Sequence, residues 1–222
     1  MNEQGGRVED ERLVGQYATR PLLEPSTLDA IRESNLGFLA LLSKRTGEPS
    51  GSVWGLDPVM VRALAALDPF VRRAVAGLPY TLFNLRFEDA PFWRDVVRDA
   101  SRPGSGSLSD EATFARTAVF LAWHLVQGND MAPAMVLGMT PAVVDAWRGL
   151  PLSALDHAAT RALPRLEARW GDNARFWPKL VAAAHAGPRG GVLAVRELGL
   201  QLLAAQGLAL AVPHFTADAS PL

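Results

Sequence analysis

The chain has no cysteine, no surplus of either charge and no apolar run of membrane-spanning length. Each absence removes a class of function. Without cysteine there are no disulfides, zinc–thiolate sites or thiol nucleophiles, and a reducing, cytoplasmic setting is the expectation. Lys and Arg number 22 against 23 Asp and Glu, a net charge of −1. A protein that holds nucleic acid by its own charge needs a basic surface to neutralise phosphates, so that mode is disfavoured. A subunit of a DNA-binding complex remains compatible with the balance. Arg, Glu, Gln or Pro interrupts every apolar stretch before the roughly 20 residues of a membrane helix are reached, and no membrane association is expected. Residues 1–25 open on Asn2-Glu3-Gln4 and a polar, charged run, without the basic start and apolar core of a secretory signal. They read as a flexible tail.

What the chain does have is the same stretch twice. Trp54-Gly55-Leu56-Asp57-Pro58 and the nine residues after it recur 83 positions later, from Leu137-Gly138-Met139-Thr140-Pro141. Gly55/Gly138, Pro58/Pro141, Val61/Val144, Ala63/Ala146 and Leu67/Leu150 are identical. At the same offset Arg86-Phe87 meets Arg169-Trp170, and after one inserted residue Phe92-Trp93 meets Phe176-Trp177. A repeat of this length suits two copies of a small module better than a solenoid unit. With 49% hydrophobic residues, each copy has the material for a core. The division expected is repeat 1 with its linker over 26–107, repeat 2 over 108–211, and a loosely ordered end over 212–222.

The pattern is almost wholly helical. Ser26-Thr27-Leu28-Asp29 resembles a capping box opening a helix that runs towards Lys44. Asp57-Pro58, Asp68-Pro69 and Thr140-Pro141 each put a capping side chain before a proline whose fixed φ suits the first helical turn. Helices follow over about 57–67 and 69–77, with counterparts over 141–150 and from Ser153-x-x-Asp156. Tyr80 to Phe87 has strand-like composition without clean alternation and reads as an extended connector. Ala90 to Ala100 is helical, and Pro103-Gly104-Ser105-Gly106-Ser107 is a flexible linker. Ser109 caps a long helix that Gly128 ends, Asn173 to Ala186 follows, and Gly187 to Gly191 breaks the chain. The last helix runs from about Val192 to Gln206 and stops at Gly207.

Few residues offer chemistry. His124, His157, His185 and His214 are scattered, with no HExxH or other ligand spacing, so no metal site is expected. Gly104-Ser105-Gly106-Ser107 lacks the strand before it and the Lys-Ser/Thr after it that a phosphate loop requires. Glu88-Asp89 and Asp172 could act as paired carboxylates, yet no nucleophile or oxyanion site neighbours them in sequence. No catalytic residue and no cofactor is assigned. The short helix pairs could form helix-turn-helix units with Arg72 and Arg73 facing DNA, but two arginines do not make a basic recognition surface. Phe92-Trp93 and Phe176-Trp177 are most simply core anchors, with a repeated partner groove as the alternative.

Three segments in order carry a family resemblance: Asn35-Leu36-Gly37-Phe38-Leu39-Ala40-Leu41-Leu42, the Gly55-Leu56 helix, and Leu82-Phe83-Asn84-Leu85-Arg86-Phe87-Glu88-Asp89. They resemble the flagellar transcriptional regulator FlhD. The second copy does too, through Phe120-Leu121-Ala122, Ala132 to Met139 and Arg169-Trp170, and together the matches cover about residues 28–206. The resemblance implies an all-α fold of two tandem FlhD-like repeats forming an intramolecular pseudo-dimer. It further implies a non-catalytic subunit of a bacterial transcription regulator, acting on promoters through an FlhC-like DNA-binding partner, with flagellum biogenesis as the family's context and further oligomerisation open. The alternative is an interaction adaptor or anti-activator with no direct promoter role.

Departures from the family pattern bear on the partner. FlhD proteins usually carry a large residue and an arginine just before the Leu-Gly turn, in the region that holds FlhC. Here those places hold Ser52-Val53 and Met135-Val136. Val53, Trp54, Met135 and Val136 are therefore the candidate partner-binding residues, apolar where the family is charged. Some members also have a cysteine where Phe83 and Leu166 stand, so an inter-subunit disulfide is excluded here.

Overall fold

The computed structural model describes residues 23–47, 51–100, 108–128, 131–186 and 191–211. Most of the expected N-terminal tail, the Gly104-Ser105-Gly106-Ser107 linker, the break at 187–190, His214 and the chain from 212 onward lie outside the described residues. The described part is mostly helical, as the sequence pattern predicts, with one two-stranded sheet.

A capping side chain, alone or with a proline, sets most of the described helix starts. Helices α2 (Pro58–Ala65) and α3 (Pro69–Ala76) open as expected: the Asp57 carboxylate accepts from the Val59 N–H at 2.6 Å, and Asp68 accepts from Phe70 and Val71 at 2.9 and 3.0 Å. In α4 (Ala90–Arg98) Asp89 accepts from the Phe92 N–H, and in α5 (Asp110–Gly128) Ser109 accepts from Ala112. Thr140 caps α7 (Pro141–Arg148), and Asn173 accepts from the amides of Arg175 and Phe176 at the start of α9 (Phe176–Ala186).

Four boundaries differ from expectation. Helix α1 (Pro25–Lys44) begins before Ser26, because Pro25 takes the first helical position and leaves the serine inside the turn. A short helix α6 (Ala132–Leu137) precedes the second glycine turn. Ser153 caps nothing: a 3-10 turn over Leu152–Ala154 runs straight into α8 (Leu155–Ala162), with Ala154 at the cap. Helix α10 (Gly191–Ala211) passes through Gly207, a residue that weakens a helix by about 1 kcal/mol without ending it.

The two glycine turns agree from the glycine onward and differ before it. Gly55 and Gly138 both have positive φ, +86° and +73°, and each leads into a proline-started helix. Before Gly55 the chain forms a tight hairpin, with Val53 and Leu56 exchanging both backbone hydrogen bonds at 2.9 Å and Trp54 itself at φ +48°. Positive φ at both central residues is the mirror-image turn that suits a hairpin's twist. Gly138 instead ends α6: its N–H bonds the Ala134 carbonyl, and the Met139 N–H bonds that of Pro133. Helix-forming Ala134 and Met135 stand where the first copy has Gly51-Ser52.

Packing joins the copies. Helix α1 packs on α2 and α3, α5 packs on α7 and α8, and α1 and α5 face each other. One helix of each copy crosses over: α4 lies on α7 and α8, and α9 on α2 and α3. Strand β1 (Phe83–Asn84) pairs antiparallel with β2 (Glu167–Ala168), Phe83 opposite Ala168 and Asn84 opposite Glu167. Asn84 and Glu167 stand 83 positions apart, so the strands meet at corresponding residues of the repeat. The core anchors expected at the aromatic pairs are there: Trp93, Phe176 and Trp177 are buried, and Phe92 is partly so. In each copy the tryptophan N–H bonds the carbonyl of the repeated arginine at 2.9 Å, Trp93 to Arg86 and Trp177 to Arg169. Ion pairs of Lys44 with Asp110 and Arg45 with Glu111 tie α1 to α5 at the surface, where such pairs contribute about 1 kcal/mol or less.

Candidate functional site

Where β1 meets β2 a cavity of about 540 Å³ opens. Its lining includes both members of four repeat pairs, Trp54 with Leu137, Gly55 with Gly138, Asn84 with Glu167, and Glu88 with Gly171. Corresponding residues converge on it because the strand pair crosses at Asn84 and Glu167 and each glycine turn flanks that crossing. The Trp54 carbonyl accepts from the Ala168 N–H at 2.7 Å, which locks the first turn to the second strand.

The wall of the cavity is an arginine. Arg169 is 3% exposed, and its Nη1 donates to the Val136 carbonyl at 2.6 Å and to the Thr81 hydroxyl at 3.4 Å. Its guanidinium stacks over the Trp170 ring at 4.8 Å. Among the described residues no carboxylate forms an ion pair with it, and Nη2 and Nε donate to none of them. Burial brings its pKa down to about 10, with Glu88 and Tyr80 opposing, so the group stays charged at neutral pH. Arg86, the corresponding residue of the first copy, is exposed.

Carboxylates line the same cavity, with Glu88 and Asp172 exposed and Glu167 half-buried. Asn84 donates to Glu88 Oε2 at 3.1 Å and to Glu167 Oε1 at 3.2 Å, and Asp172 lines the same space. Burial raises the Glu167 pKa, with the negative charges of Glu88 and Asp172 adding to it and Arg86 and Asn84 opposing. Of the carboxylates singled out in the sequence, Glu88 and Asp172 thus come together with Glu167, while Asp89 is turned away to cap α4. Among the described residues the lining holds no hydroxyl, thiol, imidazole or amine. Glu167 and the burial of Arg169 gave no sequence signal beyond the repeat itself, since Glu167 meets Asn84 of the other copy and Arg169 is held by Val136, 33 positions away.

The cavity makes the two glycines unequal. At Gly55 an added Cβ meets only the Gly171 Cα at 3.8 Å, so alanine bears just the cost of positive φ, about 1–2 kcal/mol. At Gly138 the added Cβ would collide with Arg169 Nη2 as well. Gly138→Ala is expected to cost at least about twice as much as Gly55→Ala in urea denaturation. Equal losses would contradict the packing of Arg169 against that turn.

The four candidate partner residues divide. Val136 is fully buried and Val53 is 7% exposed, turned inward by its hairpin with Leu56, so the expectation that all four stay available narrows to Trp54 and Met135. Trp54 is half-buried over Phe38, with the Arg45 guanidinium 5.1 Å from its ring. Met135 lines a second, apolar cavity of about 390 Å³ between α6, the start of α7 and α10, which shares Gly138 and Gln206 with the first. In the helix-turn-helix candidate, Arg72 donates to the carbonyls of Ala65 and Leu67 and lashes α3 to α2, leaving Arg73 the exposed member of the pair. His124 and His185 are exposed, His157 is buried, and among the described residues no three metal-ligating side chains cluster. No described helix is long and apolar enough to cross a membrane.

No family model, no curated protein and no solved structure matches the chain.

Proposed function

We propose that the chain is a fused pair of FlhD-like modules, an intramolecular pseudo-dimer that serves as the non-catalytic subunit of a bacterial transcription regulator. The pairing of Asn84 with Glu167 supports this reading, because two copies related by an approximate twofold would meet at corresponding residues. The exchange of α4 and α9 between the copies supports it, as do the Trp93 and Trp177 bonds to corresponding arginine carbonyls. Tethering makes the association intramolecular, at an effective concentration of roughly millimolar, so it survives dilution. Fusion also frees the copies to diverge: Arg169 is buried where Arg86 is solvated, and Asn84 faces a glutamate rather than a second asparagine.

In this reading an FlhC-like protein supplies the DNA contacts and docks against Trp54 and Met135. Co-expression with an FlhC-like protein of the same genome is expected to give a complex that shifts promoter DNA, while the chain alone binds duplex weakly at physiological salt. Tight, sequence-selective binding by the chain alone would restore the helix-turn-helix alternative. Trp54→Ala with Met135→Ala is expected to weaken the complex by about 2 kcal/mol or more and to leave helical circular dichroism intact. Full partner affinity in that double variant would place the interface elsewhere. The burial of Val53 and Val136 favours a second reading, in which the chain is an adaptor or anti-activator. An assembly with an FlhC-like protein that blocks its DNA binding would select that second reading.

A further inference from the structure

Scaffolding a partner does not explain the polarity of the cavity at the strand crossing. A guanidinium taken out of water without a counter-ion costs several kcal/mol. Arg169 has one close carbonyl, one long hydroxyl contact and an aromatic face, none of which carries a negative charge. The repeat does not demand this burial, since Arg86 occupies the same place in the first copy and is solvated. In the same cavity Glu88, Glu167 and Asp172 share one space, where their like charges repel and the exposed Arg86 is the cation that acts on Glu167.

The two kinds of charge select a ligand class together. A simple anion drawn to Arg169 meets three carboxylates, and a simple cation drawn to the carboxylates meets Arg169. A molecule with opposite charges at its ends satisfies both. The space of about 540 Å³ holds such a molecule whole.

We propose that this cavity binds a small zwitterion of the basic amino acid class, its carboxylate on Nη2 and Nε of Arg169 and its side-chain cation among Glu88, Glu167 and Asp172. A carboxylate accepting from two guanidinium nitrogens is the strong, planar form of this contact. The net negative lining favours a basic side chain over a neutral one.

The test is calorimetric titration of the full chain with L-arginine and L-lysine, beside agmatine and cadaverine, which lack the carboxylate, and glutarate, which lacks the cation. Saturable binding of the two amino acids is expected, at least about tenfold tighter than any of the three analogues. Because the analogues are tried on the unaltered chain, the result does not depend on whether an Arg169 variant folds. Glu167→Gln with Asp172→Asn should keep the helical circular dichroism and weaken L-arginine by about tenfold or more. Three results would overturn the proposal: no saturable heat from either amino acid up to about 10 mM, agmatine binding as tightly as L-arginine, or undiminished binding in the double variant.

Discussion

Trp93→Ala is expected to cost about 3–5 kcal/mol, the range for removing a fully buried large aromatic. Trp93 is fully buried and stacks on Phe87 at 5.6 Å with the rings 9° apart. Its edge meets Trp147 at 4.7 Å, and Trp147 belongs to α7 of the other copy. Its N–H bonds the Arg86 carbonyl, which a truncated side chain would leave without that donor. The residue therefore serves its own copy and the seam between copies at once. Equilibrium urea denaturation followed by circular dichroism measures the loss. A cost under about 1 kcal/mol would mean that α4 does not depend on the α7 seat.

The seam also marks the limit of what the sequence could show. Asp57-Pro58, Asp68-Pro69 and Thr140-Pro141 were legible because a cap and a proline act within three residues of each other. Ser153 misled because Leu152–Ala154 tightens into a 3-10 turn, which satisfies the first orphan amides without a side chain. Tyr80 to Phe87 was legible as extended but not as paired, since its partner lies in the other copy at Glu167–Ala168. Identity within the repeat did not predict environment either. Arg86 and Arg169 are the same residue at the same repeat position, yet only Arg169 has the Val136 carbonyl at the end of α6 to hold it inward. Val53 and Val136 stand where the family is charged, but an apolar side chain beside an apolar core turns in unless something holds it out. The acidic half of the cavity was partly visible as Glu88 and Asp172, and its basic half was not, because burial of a charge is decided by distant packing.

Asn35→Ala is expected to cost about 2–4 kcal/mol without removing any apolar surface, because Asn35 is fully buried and fully used. Its Nδ2 donates to the carbonyls of Ala76 at 3.1 Å and Tyr80 at 3.0 Å, and its Oδ1 accepts from the Leu82 N–H at 2.8 Å. Alanine leaves the Leu82 N–H without that acceptor in a place where the lost partner costs about 1–3 kcal/mol, and it removes the donor from both carbonyls. The segment so held is the one that reaches the second copy, through Thr81 N–H to the Val136 carbonyl and Arg169 N–H to the Leu82 carbonyl. At the corresponding place α5 has the buried Ala118, so at this repeat position the first copy alone carries an asparagine anchor. For a chain of this length the loss corresponds to a drop in melting temperature on the order of 10 °C, together with faster hydrogen exchange at Leu82. Asn35→Asp separates the two halves of the anchor: it keeps an acceptor for Leu82, loses both donated bonds and buries a carboxyl, so its deficit should grow as pH rises and the carboxyl ionises. A melting temperature within about 2 °C of the parent for Asn35→Ala would show that 76–82 is held by its apolar contacts alone.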